Sequence, residues 1–163
     1  MISDQVREIP VVSALLARYT DAIKGGTTRL NELTLEIDPA LILDVCTYLK
    51  TDQKYVRLSA ITGVDWYPME PRFEVVYFLH SMERRSERVR LKCRLHGDKP
   101  EIASVTSLWV GANWYERETF DLFGIRFLNH PNLTRIMMPD DWDGHPLRRD
   151  FPVHGHKYSY KDE

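Results

Sequence analysis

The chain has 163 residues, which suits one domain and is long enough to bury a hydrophobic core. Hydrophobic residues make up 43% and charged residues 28% of the sequence, and both proportions are ordinary for a globular protein. The net charge is -2, whereas proteins that hold nucleic acid are usually clearly basic, so no nucleic-acid partner is expected.

The cysteines and the N-terminal sequence argue against two further classes of protein. Cys46 and Cys93 lie far apart and cannot supply the four thiolates of an ordinary iron–sulfur cluster, so no cluster is expected on this chain. The N-terminal residues include acidic side chains and no long apolar stretch, which predicts no targeting signal. The apolar run over residues 11–17 is too short to cross a bilayer, since that takes about 20 residues.

The sequence predicts an α+β fold with an antiparallel sheet and helices on one face of it. Residues 1–108 are predicted to form this α+β domain. Residues 109–163 are predicted to form a short helix followed by a long extended C-terminal tail that binds a partner. No internal repeat or low-complexity segment interrupts either part.

Hydrophobic periodicity predicts two helices and four strands in the first part. The helices, in which apolar residues recur at helical spacing, cover residues 12–23 and 39–49. The strands, which alternate or are rich in β-branched and aromatic residues, cover residues 33–37, 55–61, 73–79 and 89–95. Gly25 and Gly26 are predicted to end the first helix, and Asp38 with Pro39 to begin the second. The last two strands are predicted to pair as a hairpin.

Cationic residues alternate with apolar ones along the last of these strands, and they are Arg88, Arg90, Lys92 and Arg94. One interpretation is the solvent-exposed face of a half-buried sheet. The other is a docking surface for an acidic partner or for RNA. Both interpretations stay open at this point.

A short helix is predicted over residues 114–123, and local signals specify both of its ends. Asn113 is expected to cap the N-terminus, with Glu116 three residues later completing a variant of the capping box. Gly124 is expected to end the helix in the left-handed conformation.

The charged residues of this helix are interpreted as structural. Glu116 and Glu118 lie in the first turns, where the helix dipole favours carboxylates, and Arg117 is predicted to pair with Asp121. Glu118 and Asp121 share a face, but neither has a histidine at the spacing that a metal site in a helix bundle needs. No catalytic residue and no metal ligand are therefore assigned.

The tail is rich in proline yet keeps large apolar residues, which a free disordered tail normally lacks. It is therefore predicted to pack along its length onto its own domain or onto another chain. Residues 141–144 resemble part of a calcium-binding loop but lack its required ligands, so they are predicted to form a turn. His145, His154 and His156 have no further close ligand, so no metal site is predicted there.

Two stretches of the C-terminal part resemble a known family. The run ERETFDLFGI, residues 116–125, resembles the signature of the 30 kDa subunit family of respiratory complex I, also called its C subunit. The run HPNLTRIMMPDDWDGHPLRRDFPV, residues 130–153, resembles the next segment of that family. Gly63, Asp65 and Trp66 resemble a weaker upstream motif.

The resemblance implies a setting as well as a fold. It implies a non-catalytic structural and assembly subunit of a proton-translocating NADH:quinone oxidoreductase (NDH-1), in its hydrophilic arm. The implied partners are the large quinone-site subunit, called the D subunit, and the nearby cluster-bearing B and I subunits. No cofactor is implied on this chain, because FMN and the iron–sulfur clusters belong to partner subunits. The implied location is peripheral, on the cytoplasmic side of the bacterial inner membrane, with the membrane contacted only through the complex.

Residues that match the family motifs are assigned as interface or structural candidates only. Those in the helix and at its end are Glu116, Arg117, Glu118, Asp121 and Gly124. Those in the tail are Arg135, Pro139, Gly144, Pro146, Leu147, Arg148, Arg149, Asp150 and Phe151. The tail is predicted to run along the large quinone-site subunit, with Leu147 and Phe151 buried and Arg148 or Arg149 paired with acidic groups.

Two alternatives accompany this assignment. Related subunits of membrane-bound hydrogenases, formate hydrogenlyases and dehydrogenases with other electron donors share these motifs, so the donor and the quinone stay open. A free-standing RNA-binding α+β module would use the basic strand and exposed aromatic residues as its platform. The net charge and the lack of an aromatic RNA-binding motif on the strands disfavour that second alternative.

Overall fold

The computed structural model describes residues 2–30, 32–83 and 87–152 of the chain. Its helices are α1 (Asp4–Arg7), α2 (Pro10–Arg18), α3 (Ile42–Thr51) and α4 (Ala112–Phe123). Its strands are β1 (Ile23–Arg29), β2 (Glu32–Ile37), β3 (Arg57–Asp65), β4 (Phe73–His80), β5 (Arg88–Leu95), β6 (Glu101–Ala103) and β7 (Arg126–Leu128). The α+β class predicted from the sequence is confirmed.

The main sheet has five strands in the order β1-β2-β5-β4-β3. The predicted hairpin is confirmed, because β4 and β5 pair antiparallel from Phe73 opposite Leu95 to His80 opposite Arg88. The prediction of an entirely antiparallel sheet is wrong at one pair, since β2 and β5 run parallel. A parallel pair needs a long crossover, and the chain between these two strands, which contains α3, β3 and β4, supplies it.

The prediction of a helix over residues 12–23 is wrong beyond Arg18, where α2 ends. Ile23 begins β1, and Gly25 and Gly26 lie inside that strand instead of ending a helix. A Cβ atom on Gly25 would stand 2.5 Å from a carboxylate oxygen of Glu36 on β2. A Cβ atom on Gly26 would also stand 3.1 Å from the side chains of Leu35 and Val6, so both glycines lie where side chains pack closely around β1. Pairing of β1 with β2 thus overrides the local helical periodicity.

The predicted start of the second helix is confirmed in its cap. The carboxylate of Asp38 accepts a hydrogen bond from the backbone N–H of Ala40 at 3.0 Å. The first turn, Pro39–Leu41, is a 3-10 turn, and α3 then continues from Ile42.

The hydrophobic core lies between one face of the main sheet and the helices α2, α3 and α4. Alternate strand residues point into it, and their neighbours point to the opposite face of the sheet. A small second sheet joins β6 and β7 in parallel, with α4 as the connection between them. In the described part of the chain, no helix has the length and apolar character needed to cross a membrane.

Candidate functional site

Helix α4 packs closely against strand β3 because Gly63 of β3 has no side chain at the contact. A Cβ atom on Gly63 would lie 2.8 Å from the ring of Phe123 and 3.1 Å from the methyl group of Thr119. The helix begins at Ala112 after Gly111, so the prediction that Asn113 caps it is wrong. A backbone turn leads directly into the helix, because the N–H of Ala112 donates to the carbonyl of Trp109 at 2.9 Å.

The predicted role of Glu116 in a variant of the capping box is also wrong. Glu116 is fully buried, and its two carboxylate oxygens accept from the hydroxyl of Ser104 at 2.6 Å and the N–H of Val105 at 2.8 Å. His130 lies beside it, with Nε2 at 3.9 Å. Burial raises the pKa of Glu116 to about 7 against the opposing effect of these two hydrogen bonds. Glu116 therefore ties α4 to the segment that follows β6.

Asp121 is the point at which the tail segment, defined here as residues 129–152, attaches to α4. One carboxylate oxygen accepts from three successive backbone N–H groups, those of Ile136, Met137 and Met138, at 2.7–3.0 Å. The other accepts from Arg135 at 2.6 Å. Burial acts to raise the pKa of Asp121, but these donors outweigh it and hold that pKa below its ordinary value.

The predicted pair between Arg117 and Asp121 is wrong, because each residue is engaged elsewhere. The guanidinium of Arg117 donates to the carbonyl and the hydroxyl of Thr134 at 3.1 and 2.9 Å. It also lies 5.2 Å from the ring centroid of Trp114. Glu118 is exposed, in contrast to the buried Asp121 on the next turn.

A second attachment point joins the tail segment to the sheet through Arg72, a residue that the sequence analysis did not single out. Its buried guanidinium binds Asp65 at 2.9 and 2.8 Å and Asp150 at 3.0 and 2.6 Å. Asp65 also accepts from the backbone N–H of Arg149 at 2.9 Å. Burial acts to raise the pKa of Asp65, but Arg72 and the two backbone donors, Arg149 and Tyr67, bring it down to about 2. The hydrogen bonds from Arg72 lower the pKa of Asp150 as well.

The end of α4 is covered by the tail segment. Gly124 ends the helix in the left-handed conformation, with φ at 75°, as predicted. The Arg148 guanidinium donates to the carbonyl of Phe123 at 2.7 Å, which satisfies an acceptor at the C-terminus of the helix. The N–H of Leu147 likewise donates to the carbonyl of Leu122 at 3.0 Å. Arg148 is thus directed into its own chain.

The other tail candidates shape a turn and its surroundings. The N–H of Trp142 donates to the carbonyl of Pro139 at 3.0 Å, so the turn covers residues 139–142, two positions before the predicted 141–144. Gly144 has a φ of 80° at a separate bend. Arg135 reaches the carbonyl of Gly144 at 3.0 Å. The ring of Phe151 stacks on Trp142 with centroids 6.4 Å apart. Three further candidates differ in exposure, and they are the half-buried Pro146 and the exposed Leu147 and Arg149.

The outward surface of α4 and its neighbouring segments is apolar in places. Val110 is 88% exposed and Trp114 is 62% exposed, and both line a surface groove of about 490 Å³. Met137 and Leu147 of the tail segment are exposed as well. We call these four residues the α4–tail surface.

The histidines and cysteines of the described segments show no arrangement for holding a metal. Over residues 2–30, 32–83 and 87–152 no group of three or more His, Cys, Asp or Glu side chains is placed to hold an ion. Nδ1 of His145 lies 2.9 Å from the carbonyl of Asp121, and His154 and His156 lie outside the described residues. Cys46 and Cys93 are buried, and burial raises the pKa of both thiols.

Comparison with known proteins supports the resemblance seen in the sequence. The family model described as respiratory-chain NADH dehydrogenase, 30 kDa subunit, matches residues 35–157. The C subunit of NADH-quinone oxidoreductase from Roseiflexus castenholzii is 46% identical over 145 residues, which cover 88% of this chain and 83% of that protein. The protein of the same name from Citrifermentans bemidjiense is 44% identical over 144 residues, which cover 88% and 89%.

A solved structure agrees with these sequence matches. It is a trypsin-resistant fragment, residues 1–134, of Nqo5, and it superposes with a TM-score of 0.65 at 27% identity. The match covers 76% of this chain and 99% of the fragment. The chain therefore belongs to the 30 kDa subunit family of respiratory-chain NADH dehydrogenase, whose curated members are named as the C subunit of NADH-quinone oxidoreductase.

Proposed function

We propose that the chain is a non-catalytic structural and assembly subunit of a proton-translocating NADH:quinone oxidoreductase. Its α4–tail surface docks on the large quinone-site D subunit, and the cluster-bearing B and I subunits lie nearby. Electrons pass from NADH through FMN and iron–sulfur clusters on partner subunits to quinone, and this chain binds none of these groups. The chain is peripheral, on the cytoplasmic side of the bacterial inner membrane.

The observation that supports this role is the internal use of the charged motif residues. Glu116, Asp121, Arg135, Arg148 and Asp150 all bind groups of their own chain. These contacts fold the tail segment onto α4 and the sheet, so their polar groups serve to build a surface. They are consistent with a scaffold and give no reason to assign a reacting group.

The exposed apolar residues then supply the docking chemistry. Val110 and Trp114 present large side chains to solvent, which is where a partner gains free energy by removing apolar surface from water. Each such side chain contributes about 1.5–3 kcal/mol when it becomes fully buried. Because the tail segment is already folded on α4, docking carries little further cost in chain ordering.

Affinity purification of the tagged full chain from source membranes in mild detergent, followed by mass spectrometry, tests the proposal. The expected result is recovery of the large quinone-site subunit with cluster-bearing and NADH-binding subunits. A nickel-hydrogenase partner would keep the scaffold role and change the reaction. Recovery of the chain alone, or with RNA, would overturn the proposed function.

Variants locate the docking surface in the same experiment. Val110→Ser combined with Trp114→Ala is expected to lower recovery of the partner subunits at least tenfold, since about 1.4 kcal/mol corresponds to a factor of ten. Met82→Ser is the matched control, because Met82 is 62% exposed and lies in the segment that joins β4 and β5, outside the α4–tail surface. Equal recovery with both variants would remove the α4–tail surface from the proposal.

A further inference from the structure

The face of the main sheet opposite the helices is strongly basic. Strand register places alternate residues of all five strands on this open face. Its cationic members are Arg29, Arg57, Arg88, Arg90, Lys92 and Arg94. Its carboxylates are Glu32, Glu36 and Glu74. The chain has a net charge of -2, yet this face carries twice as many cationic residues as acidic ones.

The cations on β5 are only half satisfied within the described chain. Glu32 is shared by Arg90 at 2.9 Å and Arg88 at 3.9 Å. Glu74 is shared in the same way by Lys92 at 3.1 Å and Arg94 at 2.8 Å. Each of these two carboxylates therefore faces two positive charges. Arg94 also donates to the carbonyl of Pro71 at 3.4 Å, so the excess of positive charge is clearest at the Arg88 and Arg90 end of the row.

A groove with an apolar wall lies at one end of this basic row. It has a volume of about 340 Å³ and is lined by Phe78, Ala60, Arg88 and Arg90 among others. The guanidinium of Arg90 lies 5.1 Å from the ring centroid of Phe78. Its Nε is buried and has no hydrogen-bond partner among the described residues.

The surroundings of the histidine in the same groove favour its neutral form. Nδ1 of His80 lies 3.0 Å from the hydroxyl oxygen of Ser59. Burial, together with the charges of Arg88 and Arg57, lowers its pKa. The positive charge of the groove therefore comes from Arg88 and Arg90, which outnumber its lining carboxylate, Glu32, and which stay charged at every physiological pH.

We propose that this open face is a second docking surface, and that its occupant is an acidic segment of a neighbouring protein subunit that places an apolar side chain in the groove beside Phe78. Charge complementarity favours an acidic occupant, because an arginine guanidinium can donate two hydrogen bonds to one carboxylate. The volume of the groove is at the low end of the range of about 300–1,000 Å³ for ligand pockets, which suits one or two side chains of a peptide.

The second surface rests on the proposed function in one respect, since an occupant from a neighbouring subunit requires that the chain be part of a complex. It is separate from the α4–tail surface, because α4 packs on the core face of β3 and the basic row points to the other face. The two surfaces can therefore be tested independently.

Site-specific photo-cross-linking in cells tests the inference with the full chain. Thr62 is exposed on the open face next to the groove without lining it, so Thr62→p-benzoylphenylalanine places the photoreactive group there without filling the groove. The expected product is a cross-link to a peptide of another subunit of the purified complex, with an excess of Asp and Glu near the linked residue. The peptide is identified by mass spectrometry.

Two charge variants give opposite expected changes. Arg88→Gln removes a cation and is expected to lower the cross-link yield about threefold, since exposed charge pairs contribute a few tenths to one kcal/mol. Glu32→Gln removes the internal competitor and is expected to raise the yield by about the same factor. Arg7→Gln, an exposed cation on α1, is the control and leaves the yield unchanged. A structural role alone would give no increase with Glu32→Gln.

Three results would overturn the inference, and they are a cross-link to RNA or lipid, a cross-link to a segment without excess acid, and no cross-link in an assembled complex. A parallel cross-linker at Val110→p-benzoylphenylalanine reports on the α4–tail surface. A product from Val110 without one from Thr62 would leave the proposed function standing and remove the second surface. A product from Thr62 to an acidic segment without one from Val110 would support the second surface. It would remove the proposed docking of the α4–tail surface on the large quinone-site subunit.

Discussion

Arg72 and Asp150 are joined by two hydrogen bonds of 3.0 and 2.6 Å across 78 positions of sequence. Arg72 immediately precedes β4, and Asp150 lies near the end of the described chain. The same guanidinium binds Asp65 at the end of β3. One side chain thus fixes the tail segment to the sheet, and several consequences can be measured.

Arg72→Met is expected to lower the free energy of unfolding by about 3 kcal/mol, because it leaves the buried carboxylate of Asp65 without its charged partner. The measurement is urea denaturation of the full chain, followed by tryptophan fluorescence. Arg88→Met is the control, since Arg88 is mostly exposed and its ion pair with Glu32 is long at 3.9 Å. A similar loss in both variants would show that the Arg72 contacts are not a special source of stability.

The pKa of Asp65 predicts a loss of stability in acid. Its folded pKa of about 2 lies below the ordinary value of 3.8, so its contribution is present above pH 3.8 and is lost as the pH falls through 2. The contribution is roughly 2 kcal/mol. Asp65→Asn is expected to be less stable than the parent at pH 6 and to approach it at pH 2. An unchanged difference between the two proteins across that range would contradict the assignment.

Glu116 predicts a dependence of the opposite sign. Its folded pKa of about 7 lies above the ordinary value of 4.5, so stability is fully present below pH 4.5 and is lost as the pH rises through 7. Glu116→Gln keeps an acceptor for Val105 and cannot ionise. It should therefore gain roughly 2–3 kcal/mol relative to the parent between pH 4.5 and 7.5. The neighbouring His130, whose pKa burial lowers, is present in both proteins and largely cancels in the comparison.

Asp121 is expected to be the most sensitive carboxylate of α4. Asp121→Asn replaces the acceptor of three N–H groups with an amide and removes the partner of Arg135, which is expected to cost about 3 kcal/mol. The exposed Glu118 on the same helix gives the control, and Glu118→Gln should change stability by less than about 0.5 kcal/mol. Limited proteolysis of the tail segment provides a second measurement, with faster cleavage expected only in Asp121→Asn.

Alanine substitutions at two glycines, Gly124 and Gly97, distinguish the cost of backbone strain from the cost of steric clash. Gly124 has a φ of 75°, and a Cβ atom there would lie 2.5 Å from Arg148 and from His145. Gly97 has a φ of 77°, and apart from its chain neighbours no described residue has an atom within 4 Å of where its Cβ atom would be. Gly97→Ala is expected to cost about 1 kcal/mol for the left-handed backbone, and Gly124→Ala about 1–3 kcal/mol more. Equal losses in urea denaturation would mean that the tail segment shifts away without cost.

Local patterns predicted those elements whose determinants are local. The period-2 alternation that predicted β5, and the left-handed stop at Gly124, both depend on residues next to one another in sequence. The cap at Asp38 is local as well, and it accepts a hydrogen bond two residues away. These features were recovered almost residue by residue.

Features that depend on distant residues were missed or misread. The pairing of β1 with β2 converts a glycine pair that looks like a helix stop into part of a strand. Glu116 looks like a capping charge until Ser104 and Val105 are brought to it by the fold. Arg72 carries no local signal, and its only indication in the sequence was the neighbouring family motif at Asp65. Long-range contacts of this kind have no signature in hydrophobic periodicity.

The Arg72 contacts also set an order of events during synthesis. Asp65 and Arg72 leave the ribosome long before Asp150, so a nascent chain has the sheet but not the group that seats the tail segment. A product truncated before residue 150 would lack the carboxylate of Asp150 that binds Arg72. Under the docking proposal, competence for assembly is therefore expected only of polypeptides translated through Asp150.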